Sequence, residues 1–167
     1  LAAVLRAHTG MPTFRVATLN IWNKSGPWEA RLAAIRAGVG ALGPDVLGLQ
    51  EVLEPERPGL GVGQAHAIAD GFGLHVAFGA SWSKGDVAFG NAVLSRWPVL
   101  RSRTHALPAL DTDDERCVLH ATLGAPFGPL DVFCTHFNWK LHEGYVREAQ
   151  ARFVADLVHR EIGRAHV

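Results

Sequence analysis

Residues 14–51 constrain the fold more tightly than any other part of the sequence. Phe-Arg-Val-Ala-Thr-Leu-Asn-Ile at 14–21 is β-branched and apolar, with polar Asn20 near its end, and reads as a buried strand. Lys24-Ser-Gly-Pro27 is a turn, and Pro27 suits the first position of a helix. Trp28, Leu32, Ile35, Val39 and Leu42 then recur at alternating spacings of four and three residues, which marks one apolar helix face. Gly43-Pro44 stops that helix. Asp-Val-Leu-Gly-Leu-Gln-Glu at 45–51 is a second strand-like run, apolar until its last two residues. Strand, helix and strand in direct succession form a βαβ unit, which implies parallel pairing through a right-handed crossover. The chain is thereby placed in the α/β class.

Downstream, residues 55–63 read as a loop and 64–72 as a short helix with Ala65, Ile68, Ala69 and Phe72 on its inner side. A strand is predicted over 74–78, a Gly- and Ser-rich loop over 79–90, and strands over 91–95 and 99–104. Runs at 116–123 and 130–136 flank Gly124-Ala-Pro-Phe-Gly-Pro129 and read as an antiparallel hairpin. Val146, Ala149, Phe153, Val154, Leu157, Val158 and Ile162 form the apolar face of a last helix near 143–163. The expected architecture is a mixed sheet of about six or seven strands with helices on one face. Such strands are apolar on both sides, so the other face is expected to need a cover.

Composition narrows the function. The chain has 167 residues, 48% hydrophobic and 19% charged, which suits one domain with a packed core and is too apolar for disorder. Its formal net charge is zero, so no global field directs it to nucleic acid or to an anionic membrane, although a local basic groove is compatible with a neutral total. No run of about 18 apolar residues is present, and no transmembrane segment is expected. Cys117 and Cys134 stand outside any CxxC or CxH spacing, which argues against zinc and for buried free thiols. Residues 1–10 precede Met11 and are too short and broken for a signal peptide. They are expected to be an upstream or disordered segment, and a cytoplasmic location is favoured.

Polar residues close the strands: Asn20, Gln50 with Glu51, Asn91, and His136 with Asn138. Ligand sites of α/β sheets gather at such strand ends. Taken singly each has an ordinary structural explanation, as a turn asparagine, a surface glutamate or a hydrogen-bonded histidine. Together they form a pattern. Thr18-Leu-Asn-Ile-Trp-Asn23, Asp45-Val-Leu-Gly-Leu-Gln-Glu51, Gly90-Asn-Ala-Val-Leu-Ser-Arg-Trp-Pro98, Arg116 and Cys134-Thr-His-Phe-Asn138 resemble, in order and spacing, the motifs of the endonuclease/exonuclease/phosphatase (deoxyribonuclease-I-like) superfamily. The resemblance runs from Phe14 to about Ile162.

That resemblance implies the first half of a four-layer α/β sandwich, with residues 11–167 as a partial domain lacking its C-terminal half. It implies a metal-dependent phosphoesterase in the parent protein, acting on nucleic acid, a lipid phosphate or a small phosphodiester. Glu51 would be a hard oxygen ligand for Mg²⁺, with Mn²⁺ or Ca²⁺ as alternatives, and Asn20 would hold Glu51, the metal or its water. Arg116 would grip a phosphate oxygen, and His136 would donate a proton or hydrogen bond. Asn138 would bind substrate or support the His136 loop. The later G-D-x-N and S-D-H motifs of the superfamily are absent from the sequence, so the chain by itself is expected to be inactive. The alternative is a truncated module that binds a phosphate ligand or a partner without turnover. Two structural expectations follow. Arg116 should lie opposite His136 in the hairpin, which puts Cys117 and Cys134 on opposite sheet faces and forbids a disulfide. The uncovered sheet face should be open to water, or paired in a homodimer.

Overall fold

The computed structural model describes residues 13–57 and 59–164. The expectation for residues 1–10, and the side chain of Ile162, fall outside what it describes. The βαβ unit is present as β1 (Val16–Asn20), α1 (Trp28–Leu42) and β2 (Val46–Pro55). β1 and β2 are parallel, in register from Val16 with Val46 to Asn20 with Gln50. Gly43 ends α1 in the left-handed conformation, φ 52°, which lets its N–H return to the Val39 carbonyl at 2.9 Å.

After α2 (Gln64–Ala69) the chain forms β3 (His75–Lys84) and β4 (Val87–Ser95), an antiparallel pair. The predicted loop over 79–90 is thus a correction: those residues are the body of a hairpin whose turn is only Gly85-Asp86. The small and polar residues there mimic loop composition, but two contacts explain them as strand. Trp82 stacks on Phe89 across the pair, with centroids 5.0 Å apart and planes at 12°. At Gly90 a Cβ would come within 1.9 Å of the Gly79 carbonyl oxygen, so the glycine permits a close approach of two strands.

The larger difference concerns the number of sheets. The first is mixed, in the order β1-β2-β4-β3, with α1 and α2 on one face, as expected. The remaining strands, β5 (Val99–Ala106), β6 (Cys117–Ala125) and β7 (Gly128–Thr135), form a second, antiparallel sheet instead of extending the first. Val46, Ala77 and Val93 of the first sheet pack on Leu119, Ala121, Leu123 and Cys134 of the second. The last helix, α3 (Gly144–Arg164), covers the outer face of the second sheet through Leu157, Phe153 and Val154, against Val118 and Phe133. The layers are helix, sheet, sheet, helix. The face expected to lie open is covered from within the same chain, which removes the reason for a homodimer across it. No helix among the described residues is long and apolar enough to cross a membrane.

The hairpin register is a further correction. Val118 pairs with Thr135 and Leu119 with Cys134, one residue away from the expected alignment. The strands run on into the predicted connection, to Ala125 paired with Gly128, so the link is Pro126-Phe127 alone. Cys117 and Cys134 therefore share the inner face, contrary to the parity argument. Both are nonetheless free and buried, because each engages a different part of the first sheet. Cys117 donates to the Gly79 carbonyl at 3.6 Å, and Cys134 accepts from the Gln50 side chain at 3.3 Å. Burial pushes the Cys134 thiol up to about 11, so it stays protonated at neutral pH.

Candidate active site

Backbone strain concentrates at the end of β1 and at a point midway along β2. Four non-glycine residues among those described have positive φ, and three of them are Trp22 (54°), Asn23 (41°) and Glu51 (57°). Glu51 lies at a β-bulge, where Gln50 and Glu51 together oppose one residue of β4. A left-handed residue other than glycine costs roughly 1–2 kcal/mol, and such outliers persist where the surroundings over-determine them. Here the determinants are visible. The Ile21 amide donates to the Gln50 carbonyl at 3.0 Å and the Asn23 amide to the Glu51 carbonyl at 2.9 Å. The Arg31 guanidinium donates to the carbonyls of Ile21, Asn23 (3.0 Å) and Ser25 (2.5 Å), clamping the turn after β1 from below.

The Glu51 carboxylate is held by neighbouring side chains. Asn20 Nδ2 donates to Glu51 Oε1 at 2.8 Å, while Asn20 Oδ1 accepts from the Trp22 amide at 2.8 Å. Since an amide N–H must meet an oxygen, the orientation of the Asn20 carboxamide is fixed by both partners. Of the roles expected for Asn20, its geometry carries the holding of Glu51. Asn23 Nδ2 reaches Glu51 Oε2 at 3.4 Å.

The second sheet supplies the groups that face Glu51. His136, just past β7, places Nδ1 3.9 Å from Glu51 Oε1. The same nitrogen accepts from Arg116 Nη1 at 2.9 Å. A guanidinium only donates, so Nδ1 is unprotonated and the imidazole proton resides on Nε2. Burial, then the adjacent Arg116 charge, hold the His136 pKa below its ordinary value, against an opposing pull from Glu51 and Asp114. Arg116 is buried, and its Nε lies 2.9 Å from Asp114 Oδ1, an ion pair without hydrogen-bond alignment. Asp114 Oδ2 is buried and has no hydrogen-bond partner.

Asn20, Glu51, Arg116 and His136 thus meet at one end of the sandwich. Asn138 does not join them: it is buried, with Nδ2 donating to Glu143 at 2.6 Å and Oδ1 accepting from the Lys140 amide at 3.0 Å. It organises the loop that follows His136. His120 faces away from the site, between Phe133 and Asp131. Two participants escaped the sequence reading. Asn23 closes the Thr18–Asn23 motif directly before the Lys24–Pro27 turn, and nothing in its residue type distinguishes it from part of that turn. Asp114 sits in Asp111-Thr-Asp-Asp-Glu115, a run that reads as a solvated loop. The alternation of Asp114 with Arg116 was the available signal.

A hard divalent cation has one anionic donor here. No group of three or more His, Cys, Asp or Glu converges among the described residues. Such a cation needs at least one carboxylate, with water and phosphate oxygens able to complete its shell. Glu51 fits that requirement, with its side chain only 19% exposed and oriented by two asparagines.

The sequence profile described as the Endonuclease/Exonuclease/phosphatase family matches residues 17–166. The chain belongs to the endonuclease/exonuclease/phosphatase family. A family protein from Beutenbergia cavernae is 27% identical over 86% of the chain and 43% of its own, with a TM-score of 0.67. The human Nocturnin catalytic domain, solved with bound sulfate, shares 19% identity over 99% of the chain and 63% of its own, at a TM-score of 0.72. TDP2 from D. rerio, complexed with a single-strand DNA product, shares 17% identity over 86% and 54%, at 0.66. The last two likenesses concern the family fold. The chain spans between 43% and 63% of the length of these three structures. No curated protein matches it.

Proposed function

We propose that the protein to which this chain contributes is a Mg²⁺-dependent phosphoesterase that hydrolyses phosphodiesters, with Mn²⁺ or Ca²⁺ as the alternative ions. The approach of Glu51 and His136 to 3.9 Å from two different sheets carries this reading. Glu51 holds the ion, and Asn20 and Asn23 hold Glu51. The bound ion supplies charge neutralisation at the phosphoryl oxygens. Burial and then Arg116 keep His136 neutral, and with Nδ1 engaged by Arg116 the Nε2–H is the group that would donate to a phosphate oxygen or to the leaving oxygen. Asp114 anchors Arg116. Nucleic acid, lipid phosphates and small phosphodiesters are all chemically admissible substrates, since each presents an anionic phosphate ester.

The described residues offer this site one carboxylate beside the metal position and one histidine. That set supports binding more directly than turnover, because acid–base groups act cooperatively and the loss of a member is non-additive. The 167-residue chain alone therefore binds phosphate without hydrolysing it at an appreciable rate. Hydrolysis of bis(p-nitrophenyl) phosphate by the full-length protein, with Mg²⁺ and with excess chelator, tests the proposal. Metal-dependent turnover that falls by about 100-fold or more in Glu51→Gln is expected. Turnover that survives both chelation and Glu51→Gln would refute it.

A further inference from the structure

The Gln64 side chain is 1% exposed and belongs to no motif or site set, yet both ends of its carboxamide are engaged. Oε1 accepts from the Leu53 amide at 2.8 Å, and Nε2 donates to the Asn23 carbonyl at 2.8 Å. Leu53 lies two residues past Glu51 on the bulged strand, and Asn23 is part of the left-handed turn after β1. Gln64 thus joins the two strained segments that flank the Glu51 carboxylate.

The chemistry explains the choice of residue. β1 stops pairing at Asn20, opposite Gln50, but β2 runs on to Pro55. Beyond that point the β2 backbone has lost its neighbour on the β1 side. The turn supplies some of the missing ladder, through the Ile21 and Asn23 amides on the Gln50 and Glu51 carbonyls. Of the next groups, the Leu53 N–H meets the Gln64 side-chain oxygen, and the Asn23 carbonyl accepts from Gln64 Nε2 beside the Arg31 guanidinium, which reaches it at 3.0 Å. A primary carboxamide carries one acceptor and a donor in the arrangement of a peptide group, so Gln64 continues the ladder where the strand has ended. Its own backbone is fixed at the start of α2. Glu54, on the same strand, accepts from the Ala65 amide at 2.8 Å and lies 3.1 Å from His66 Nδ1. The support is therefore rigid at both ends.

We propose that Gln64 is a positioning residue that holds Glu51 in its left-handed, metal-facing conformation; this rests on the reading of Glu51 as the metal ligand. Partners that orient a ligand from behind typically cost 10- to 100-fold in metal affinity or activity when removed. Gln64→Leu removes both hydrogen bonds at similar volume. Gln64→Glu keeps the acceptor for Leu53 and sets an oxygen against the Asn23 carbonyl.

The experiment uses the full-length protein, with Mn²⁺ as the probe, followed by electron paramagnetic resonance, together with steady-state kinetics. Both variants should lose about 10- to 100-fold in Mn²⁺ affinity and in kcat, with KM changed much less. Ser95→Ala, a buried polar change at the far end of β4, should lower the melting temperature and leave Mn²⁺ affinity alone. If either folded Gln64 variant binds Mn²⁺ as the wild type does, Gln64 is merely structural and the proposal fails. If Glu51→Gln itself retains wild-type Mn²⁺ affinity, the ligand reading fails and takes this proposal with it; loss in Glu51→Gln but not in the Gln64 variants sinks this proposal alone. Amide exchange in the wild type needs no variant. Protection of the Leu53 amide equal to its strand neighbours is expected, and exchange at the rate of an open loop would overturn the proposal.

Discussion

Glu51 occupies a conformation in which glycine would be the relaxed choice. At that position stability and function pull in opposite directions. Glu51→Gly and Glu51→Ala both remove the carboxylate, but only glycine relieves the left-handed backbone. Glu51→Gly should therefore be more stable than Glu51→Ala by about 1 kcal/mol in chemical denaturation, while neither binds metal. Equal stabilities would mean that the bulge relaxes in the alanine variant. His136 gives a second test at the scale of a single group. Its folded pKa lies below the ordinary 6.5, through burial and Arg116. The folded state then binds fewer protons than the unfolded state, so this group destabilises the fold as pH falls from above 6.5 through the folded value. The stability of wild type relative to His136→Gln should decline between pH 7.5 and pH 5. His105, also lowered by burial, is present in both proteins and cancels. A difference independent of pH would show that His136 titrates normally.

The elements show which parts of the structure could be read from residues and which could not. The unit β1–α1–β2 was legible because its signals are local: an apolar stripe of helical period, Pro27 before it, and Gly43 after it. His136 does follow the end of β7, whereas Glu51, read as a strand end, sits at a bulge within β2, which runs on to Pro55, because the polar pair Gln50-Glu51 interrupts the apolar run without ending the strand. The partition of strands into two sheets was not legible. Val93 and Leu119 look alike as buried β residues, and nothing in either says that they face each other from different sheets. Register in the β6–β7 hairpin was missed because it depends on where the turn falls, and Gly124 and Pro129 masqueraded as loop while pairing with one another. Gly90 belongs to the same class of error. Its role as a close-approach glycine predicts that Gly90→Ala forces β3 and β4 apart and costs about 1–3 kcal/mol. A thermal melt within a degree of wild type would show that the hairpin yields without strain.

For the molecule as a whole, the two-sheet interior decides both stability and site geometry. Leu119 is fully buried and lies against the Gly79 backbone across the sheets. Leu119→Ala should cost about 2–5 kcal/mol, depending on how far the layers collapse into the void. Equilibrium denaturation gives the number, and a loss under about 1 kcal/mol would mean the core is looser than its burial implies. The same substitution reaches further than stability. Glu51 hangs from one sheet and His136 from the other, so the filling between them acts as a shim between two plates, and the gap it sets is the gap across which the two groups work. Interiors are packed too tightly to absorb a lost methylene unnoticed, and a misplacement of about 1 Å at a reacting centre can cost about 100-fold in rate. A change at Val93, Leu119 or Ala121 therefore resets the separation of Glu51 and His136 without touching a polar side chain. In a protein of this build, drift in the dry interior is a route to altered activity that leaves every polar residue around Glu51 unchanged.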